Sequence, residues 1–126
     1  MNESEVIMCD SKPASEFIVH TTAIEAAGLA IAIVSGLPTP LRSLADQVVR
    51  SASSVPANLA EGAGRAGKDR AYHYRIAYGS AKEVDTHLRL LAEAEAIDRG
   101  GAAVVLRLFD EVRAMTWRLR HPKRGQ

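Results

Sequence analysis

Apolar residues recur along this chain at helical spacing, and nowhere do they show the strict alternation of a strand. Ile24, Ala27, Ile31 and Val34 form a first stripe, with Thr21 or Thr22 placed to cap its start. Gly36 and Pro38-Thr39-Pro40 close it with a short, stiff connection, which implies an antiparallel neighbour. A second helix is expected from about Leu41, with Leu41, Leu44, Ala45, Val48, Val49 and Ala52 inward and Arg42, Asp46 and Arg50 outward. In the third, capped by Asp69, the residues Tyr74, Ala77, Ala81, Val84, Leu88 and Leu91 alternate steps of three and four, the seam of a left-handed bundle. It should end near Ile97. The fourth starts beyond Gly100-Gly101, keeps the seam through Val105, Phe109, Val112, Thr116 and Leu119, is widened by Val104, Leu108 and Met115, and stops at Pro122. The pattern predicts an all-α, up-down-up-down four-helix bundle over residues 20–121, between a flexible N-terminal arm (1–19) and a basic tail (122–126).

Composition agrees with helices packed closely. Of the 126 residues, 47% are hydrophobic but only 5% aromatic, where a sheet would recruit more aromatic and β-branched side chains. The net charge of +1 creates no global field, so any nucleic-acid reading must rest on local charge. Cys9 is the single cysteine and has no cluster of ligands around it, which points to a reducing cytoplasm. The most apolar run, Ala26 to Val34, is well short of the roughly 20 residues of a membrane span. The arm before it is acidic, unlike the basic start of a signal peptide, so no membrane partner is expected.

The densest local signal lies between Arg50 and Arg65. Pro56 interrupts the second helix, removing one backbone donor and pressing on the carbonyl of Ala52. Either the helix continues with a kink, or it stops and restarts with Ser53 or Ser54 as cap; Leu59 and Ala60 resume the pattern at once and favour continuity. Asn58, Glu61 and Arg65 then share one face. A binding patch is one reading of them. The favoured one is structural: Asn58 satisfies backbone groups freed by Pro56, and Glu61 pairs with Arg65 or accepts from Ser80. Gly79 sits in mid-helix, where glycine costs stability, so close approach of another helix, in the same subunit or a neighbour, should compensate; a ligand pocket beside Gly79 is the less favoured alternative.

These residues carry a family resemblance. Gln47-Val48-Val49-Arg50-Ser51-Ala52, Ser54-Val55-Pro56-Ala57-Asn58-Leu59-Ala60-Glu61-Gly62 and Gly64-Arg65 resemble the bacterial four-helix bundle proteins known from intervening sequences in large-subunit ribosomal RNA genes. The run Ile76-Ala77-Tyr78-Gly79-Ser80-Ala81-Lys82-Glu83, with Thr86 and Leu88, resembles that family's second signature. The resemblance implies a homopentameric ring. It also implies that Gln47, Arg50, Pro56, Asn58, Glu61, Gly62, Arg65, Gly79, Ser80 and Glu83 are motif positions of structural character. A related branch, the accessory variability determinant of diversity-generating retroelements, binds nucleic acid and a reverse transcriptase, which makes RNA, DNA or such a protein the partners to consider. The family's tryptophan-containing start of the first helix is replaced here by Phe17 and an alanine-rich run.

Helix four carries the functional candidates. Leu106, Arg113, Trp117 and Arg120 fall on one face, and from Val112 to Gln126 there is no acidic residue beside Arg113, Arg118, Arg120, Lys123 and Arg124. A basic stripe with an aromatic can hold phosphates and stack a base. Against this stands a plainer account: Trp117 anchors a subunit interface, and the basic tail complements the helix dipole. Glu83 and His87 lie four apart, but the Glu-x-x-His pattern of di-iron bundles is missing, and no nucleophile is arranged for catalysis. Gly62-Ala63-Gly64-Arg65-Ala66-Gly67 spells GxGxxG but follows a helix, not a strand. The sequence therefore gives no catalytic, metal or cofactor residues, and the expected role is a non-enzymatic binding or assembly module.

Overall fold

The computed structural model describes residues 11–122, with side chains from Ala14. Among the described residues four helices follow one another: α1 Ser11–Val34, α2 Arg42–Ala63, α3 Gly67–Glu93 and α4 Arg99–Arg120, with a 3-10 turn at Thr39–Leu41 before α2. Each packs on its sequence neighbours, and α4 closes against α1, so the topology is the up-down-up-down bundle that the short connections imply.

The seam of α3 is buried as its spacing predicts, from Tyr74 through Ala77, Ala81, Val84 and Leu88 to Leu91. Facing it are Val48, Ala52, Val55 and Leu59 of α2 and Val105, Phe109 and Val112 of α4. Helix α2 runs unbroken through a buried Pro56, so the continuous alternative holds. Val49 and Val104, expected inward, are exposed; each lies just off its helix's buried stripe.

The first helix departs most from expectation. It begins at Ser11, not near Thr21, and takes in residues 11–19 of the segment expected to be a flexible arm. Pro13 falls in the first turn, where its missing N–H costs nothing. Thr22 caps nothing and instead donates to the Ile18 carbonyl (2.8 Å). The buried stripe is Val19, Ala23, Ala26, Ala27, Ala30 and Val34, while Ile24, expected in the core, is 52% exposed. Small side chains face inward here, letting α1 approach its neighbours, and the large ones are displaced outward. The longer helix also revises the membrane comparison. Ala14–Val34 is long and apolar enough to cross a bilayer by length and composition, although 33% of that window is buried in the bundle.

The connections are fixed by specific backbone chemistry. Gly36 (φ 84°) leaves α1, and Gly67 (φ 58°) turns the chain into α3. Asp69 lies inside the first turn of α3, not at its cap. Helix α3 ends at Glu93, four residues before the expected boundary, in a Schellman motif: Ala96 donates to the Leu91 carbonyl (2.9 Å) and Glu95 to that of Ala92 (3.0 Å). Glu95 therefore sits at φ 60°. Asp98 caps α4 by accepting from the Gly101 backbone N–H (2.8 Å), so the two glycines lie within the first turn and not before it. Relief of the left-handed strain makes Glu95→Gly stabilising by about 1 kcal/mol. Urea denaturation of the variant beside the parent protein checks this.

Candidate functional site

The polar members of the central motif line one side of the α2–α3 contact. Ser51 donates to Glu83 (2.8 Å), Ser80 to Ser54 (3.0 Å), and Asn58 through Nδ2 to both the carbonyl (2.9 Å) and the hydroxyl (3.0 Å) of Ser54. His73 meets the Asn58 amide oxygen at 2.9 Å. That oxygen only accepts, so the ring donates from Nδ1. Asn58 thus ties α2 to α3 but doubles on the carbonyl of Ser54, whereas Pro56 frees that of Ala52; the expected repair is not what it does. Glu61 pairs with Arg65 (3.3 Å), which also lies 3.8 Å from Asp69, and Ser80 is spent on Ser54 and not on Glu61. Exposed pairs of this kind contribute at most about 1 kcal/mol. Gln47 is half-buried and Arg50 is exposed.

At the end of α2, Gly62 has a reason invisible in one sequence. A Cβ there would lie 2.5 Å from Cε1 and 2.7 Å from Cδ1 of Tyr74. The buried phenol of Tyr74 donates to Glu16 (3.3 Å), and burial, reinforced by the Glu16 charge, pushes its pKa up to about 12. Arg70 stands 3.9 Å from Glu16 and donates through Nε to the carbonyls of Gly62 (3.2 Å) and Arg65 (2.8 Å). Three helices are knotted here. Assigning Glu16 to a mobile arm concealed its part in this knot.

The helix-four candidates separate. Arg113 bonds Asp110 and lies 3.5 Å from the buried Asp85, which also accepts from Arg89 Nε at 2.6 Å. That contact raises the pKa of Arg89. Arg113 is therefore committed to the α3–α4 contact. Leu106 lines a separate groove of about 220 Å3 with Arg89, Ala92, Glu93, Arg99, Ala102 and Ala103. Trp117 remains 49% exposed and stacks on His121 with centroids 4.1 Å apart and planes at 23°. Arg118 is exposed, and the Arg120 guanidinium lies 5.4 Å from the centroid of Tyr78 on α3. Lys123 and Arg124 lie outside the described residues.

Two features went unforeseen. Gly79 is exposed, and a Cβ there would meet nothing within 4 Å, so no helix of the same subunit approaches it. The outer face of α3 carries tyrosine-held cations: Arg75 is 5.8 Å from the Tyr72 centroid and Lys82 is 6.0 Å from that of Tyr78. The run from Arg70 to Lys82, free of acidic residues, was the available signal. Among the described residues, no three His, Cys, Asp or Glu side chains come together as metal ligands.

The model of the 23S rRNA-intervening sequence protein family matches residues 15–118. The chain belongs to that family. The match begins within α1, upstream of the expected bundle boundary, in keeping with the longer helix. A solved structure from Bacteroides thetaiotaomicron, of a protein with unknown function from the S23 ribosomal protein family, has the same fold. Its TM-score is 0.77 at 21% identity, covering 85% of this chain and 98% of that one. No curated protein matches the chain.

Overpacking against Tyr74 predicts that Gly62→Ala costs about 1–3 kcal/mol. Thermal unfolding measures the loss. Tyr74→Leu, which shortens the opposing side chain, should recover part of it in the double variant.

Proposed function

We propose that this family member is a non-enzymatic cytoplasmic module that assembles as a ring-like homo-oligomer and binds nucleic acid through the basic end of α4. The observation that carries the binding half is the exposed Trp117–His121 stack beside Arg118 and Arg120, on a stretch with no acidic residue after Glu111. Arginines beside an open aromatic surface supply phosphate contact and base stacking together. A pentamer is the oligomer that the family resemblance implies, and a ring would multiply a weak site. The electrostatic character gives the test. Binding of a fluorescent RNA or DNA oligonucleotide should weaken steeply with salt, and the pair Arg118→Glu and Arg120→Glu should reduce it at least tenfold. Absent or salt-independent binding sinks the reading. Arg113 is unsuitable for that test, because reversing it would leave the buried Asp85 facing a like charge.

The assembly half is supported by α1. Phe17, Ile18, Ile24 and Leu29 are exposed on a helix whose only acidic residue beyond Glu16 is Glu25. A helix apolar all round is normally covered on both sides. The paired change Ile24→Glu and Leu29→Glu should convert the oligomer to a folded monomer, read by light scattering and circular dichroism. A parent protein that is monomeric at micromolar concentration contradicts the proposal. The same α1 face favours a second reading, a protein-interaction scaffold without nucleic-acid binding. Such a scaffold would retain its protein partner after the Arg118 and Arg120 reversals.

A further inference from the structure

We propose that the outer face of α3 is a track for single-stranded nucleic acid, with the strand's backbone passing over Gly79, its phosphates held by Arg75 and Lys82, and a base stacked on Tyr72. This rests on the reading that the protein binds nucleic acid, and extends it to a helix that the α4 site does not include.

Tyr72, Arg75, Gly79 and Lys82 follow at steps of three, four and three, which places them on one stripe, and all four are exposed. No acidic residue occurs from Arg70 to Lys82. Five other arginines, Arg65, Arg70, Arg89, Arg99 and Arg113, face carboxylates within 4 Å. Arg75, Lys82 and Arg120 instead lie over tyrosine rings, and among the described residues none of the three pairs with a carboxylate. A cation held over a ring keeps its charge available and has less freedom to lose when it meets a phosphate.

Gly79 supplies an independent observation. Glycine inside a helix costs stability relative to alanine. Nothing in the protomer demands it, since a Cβ would project into open space. Any demand for a bare backbone here would come from outside the subunit, at the centre of a stripe whose other members are cationic and aromatic. A bare backbone there lets a phosphate–sugar chain approach the helix closely. Arg75 and Lys82 are seven residues apart, about 10 Å along the axis, or roughly three stacked nucleotides at ~3.4 Å each. The half-exposed ring of Tyr72 favours a single strand, because a duplex keeps its bases stacked on each other. Arg120, reaching Tyr78 from α4, joins the track to the Trp117–His121 surface.

The deciding experiment uses the full chain and labelled 20-mers of oligo-U, oligo-dT and a duplex RNA at low salt. Gly79→Ala should raise the melting temperature by roughly 3–6 °C, because alanine is the better helix former in open space. It should also weaken oligo-U or oligo-dT binding several-fold. Opposite signs in the two readouts are the signature of a ligand-facing glycine. Tyr72→Ala should cost about 5- to 100-fold in affinity, and the Arg75→Glu, Lys82→Glu pair at least tenfold. The track is overturned if these α3 variants bind like the parent while Arg118→Glu, Arg120→Glu loses binding; the α4 site would then stand alone. Loss of both proposals requires that the parent binds none of the probes. A changed mass in light scattering for Gly79→Ala, with unchanged affinity, would make this face a contact between copies and also overturn the track. Tighter binding of the duplex than of either single strand overturns the single-strand assignment.

Discussion

The ring of Tyr74 fills the space that a side chain at Gly62 would need, and much of the molecule's arrangement follows from that contact. Because α2 is bare at this point, the end of α2 and the start of α3 approach closely enough for Arg70 to reach back to the Gly62 carbonyl in the last turn of α2 and to the Arg65 carbonyl in the connection. The Gly62 carbonyl also accepts from the Arg65 backbone N–H (3.1 Å), so the guanidinium adds to a backbone cap at the end of α2. The Tyr74 hydroxyl, held deep in the bundle, needs an acceptor and finds Glu16. That demand reaches into the N-terminal region and helps keep α1 helical well before its alanine-rich part.

From this knot the α2–α3 contact runs as two parallel strips. One is apolar, with Val48, Ala52, Val55 and Leu59 against the α3 seam. The other is polar, with Ser51, Ser54 and Asn58 meeting Glu83, Ser80 and His73. Matched hydroxyl and amide partners fix the register of the two helices in a way that interchangeable alanines do not. The motif residues Asn58, Ser80 and Glu83 are absorbed in this work. The outer side of α3 is left to solvent, which is why its cations sit over tyrosines and not beside carboxylates.

The bundle was largely legible because six α3 residues and five of α4 repeat at three-and-four spacing without interruption. The start of α1 was not. Its evidence is Glu16 meeting a tyrosine far along the chain, and a single sequence does not display that pairing. Its buried face was also misread, because isoleucine outweighs alanine in any hydrophobic tally, yet the narrow gap admits Ala23, Ala26 and Ala30 and turns Ile24 away. The candidate site was legible only by halves. A run free of acidic residues marks where positive charge accumulates, and in the structure Trp117 and Arg118 of that run are exposed on α4 while Arg120 is half-buried. It gave no sign that Arg113 faces a buried aspartate on another helix. Gly79 shows the same limit in reverse: its cost could be read from the sequence, but only the structure shows that no other helix of the subunit comes close to it.

The phenol of Tyr74 has an acid–base consequence for how α1 is held. Its pKa is raised from 10.0 in the free side chain to about 12 in the folded protein, so folding favours the protonated form. The stabilisation linked to this proton is complete below pH 10 and disappears as the pH rises through about 12. At neutral pH the clasp between α1 and α3 is therefore indifferent to the phenol's titration. In strong alkali, the phenolate would face the Glu16 carboxylate across the same short distance, and attraction would turn to repulsion. Release from the bundle would then begin at the N-terminal half of α1, while the alanine-lined half stays packed.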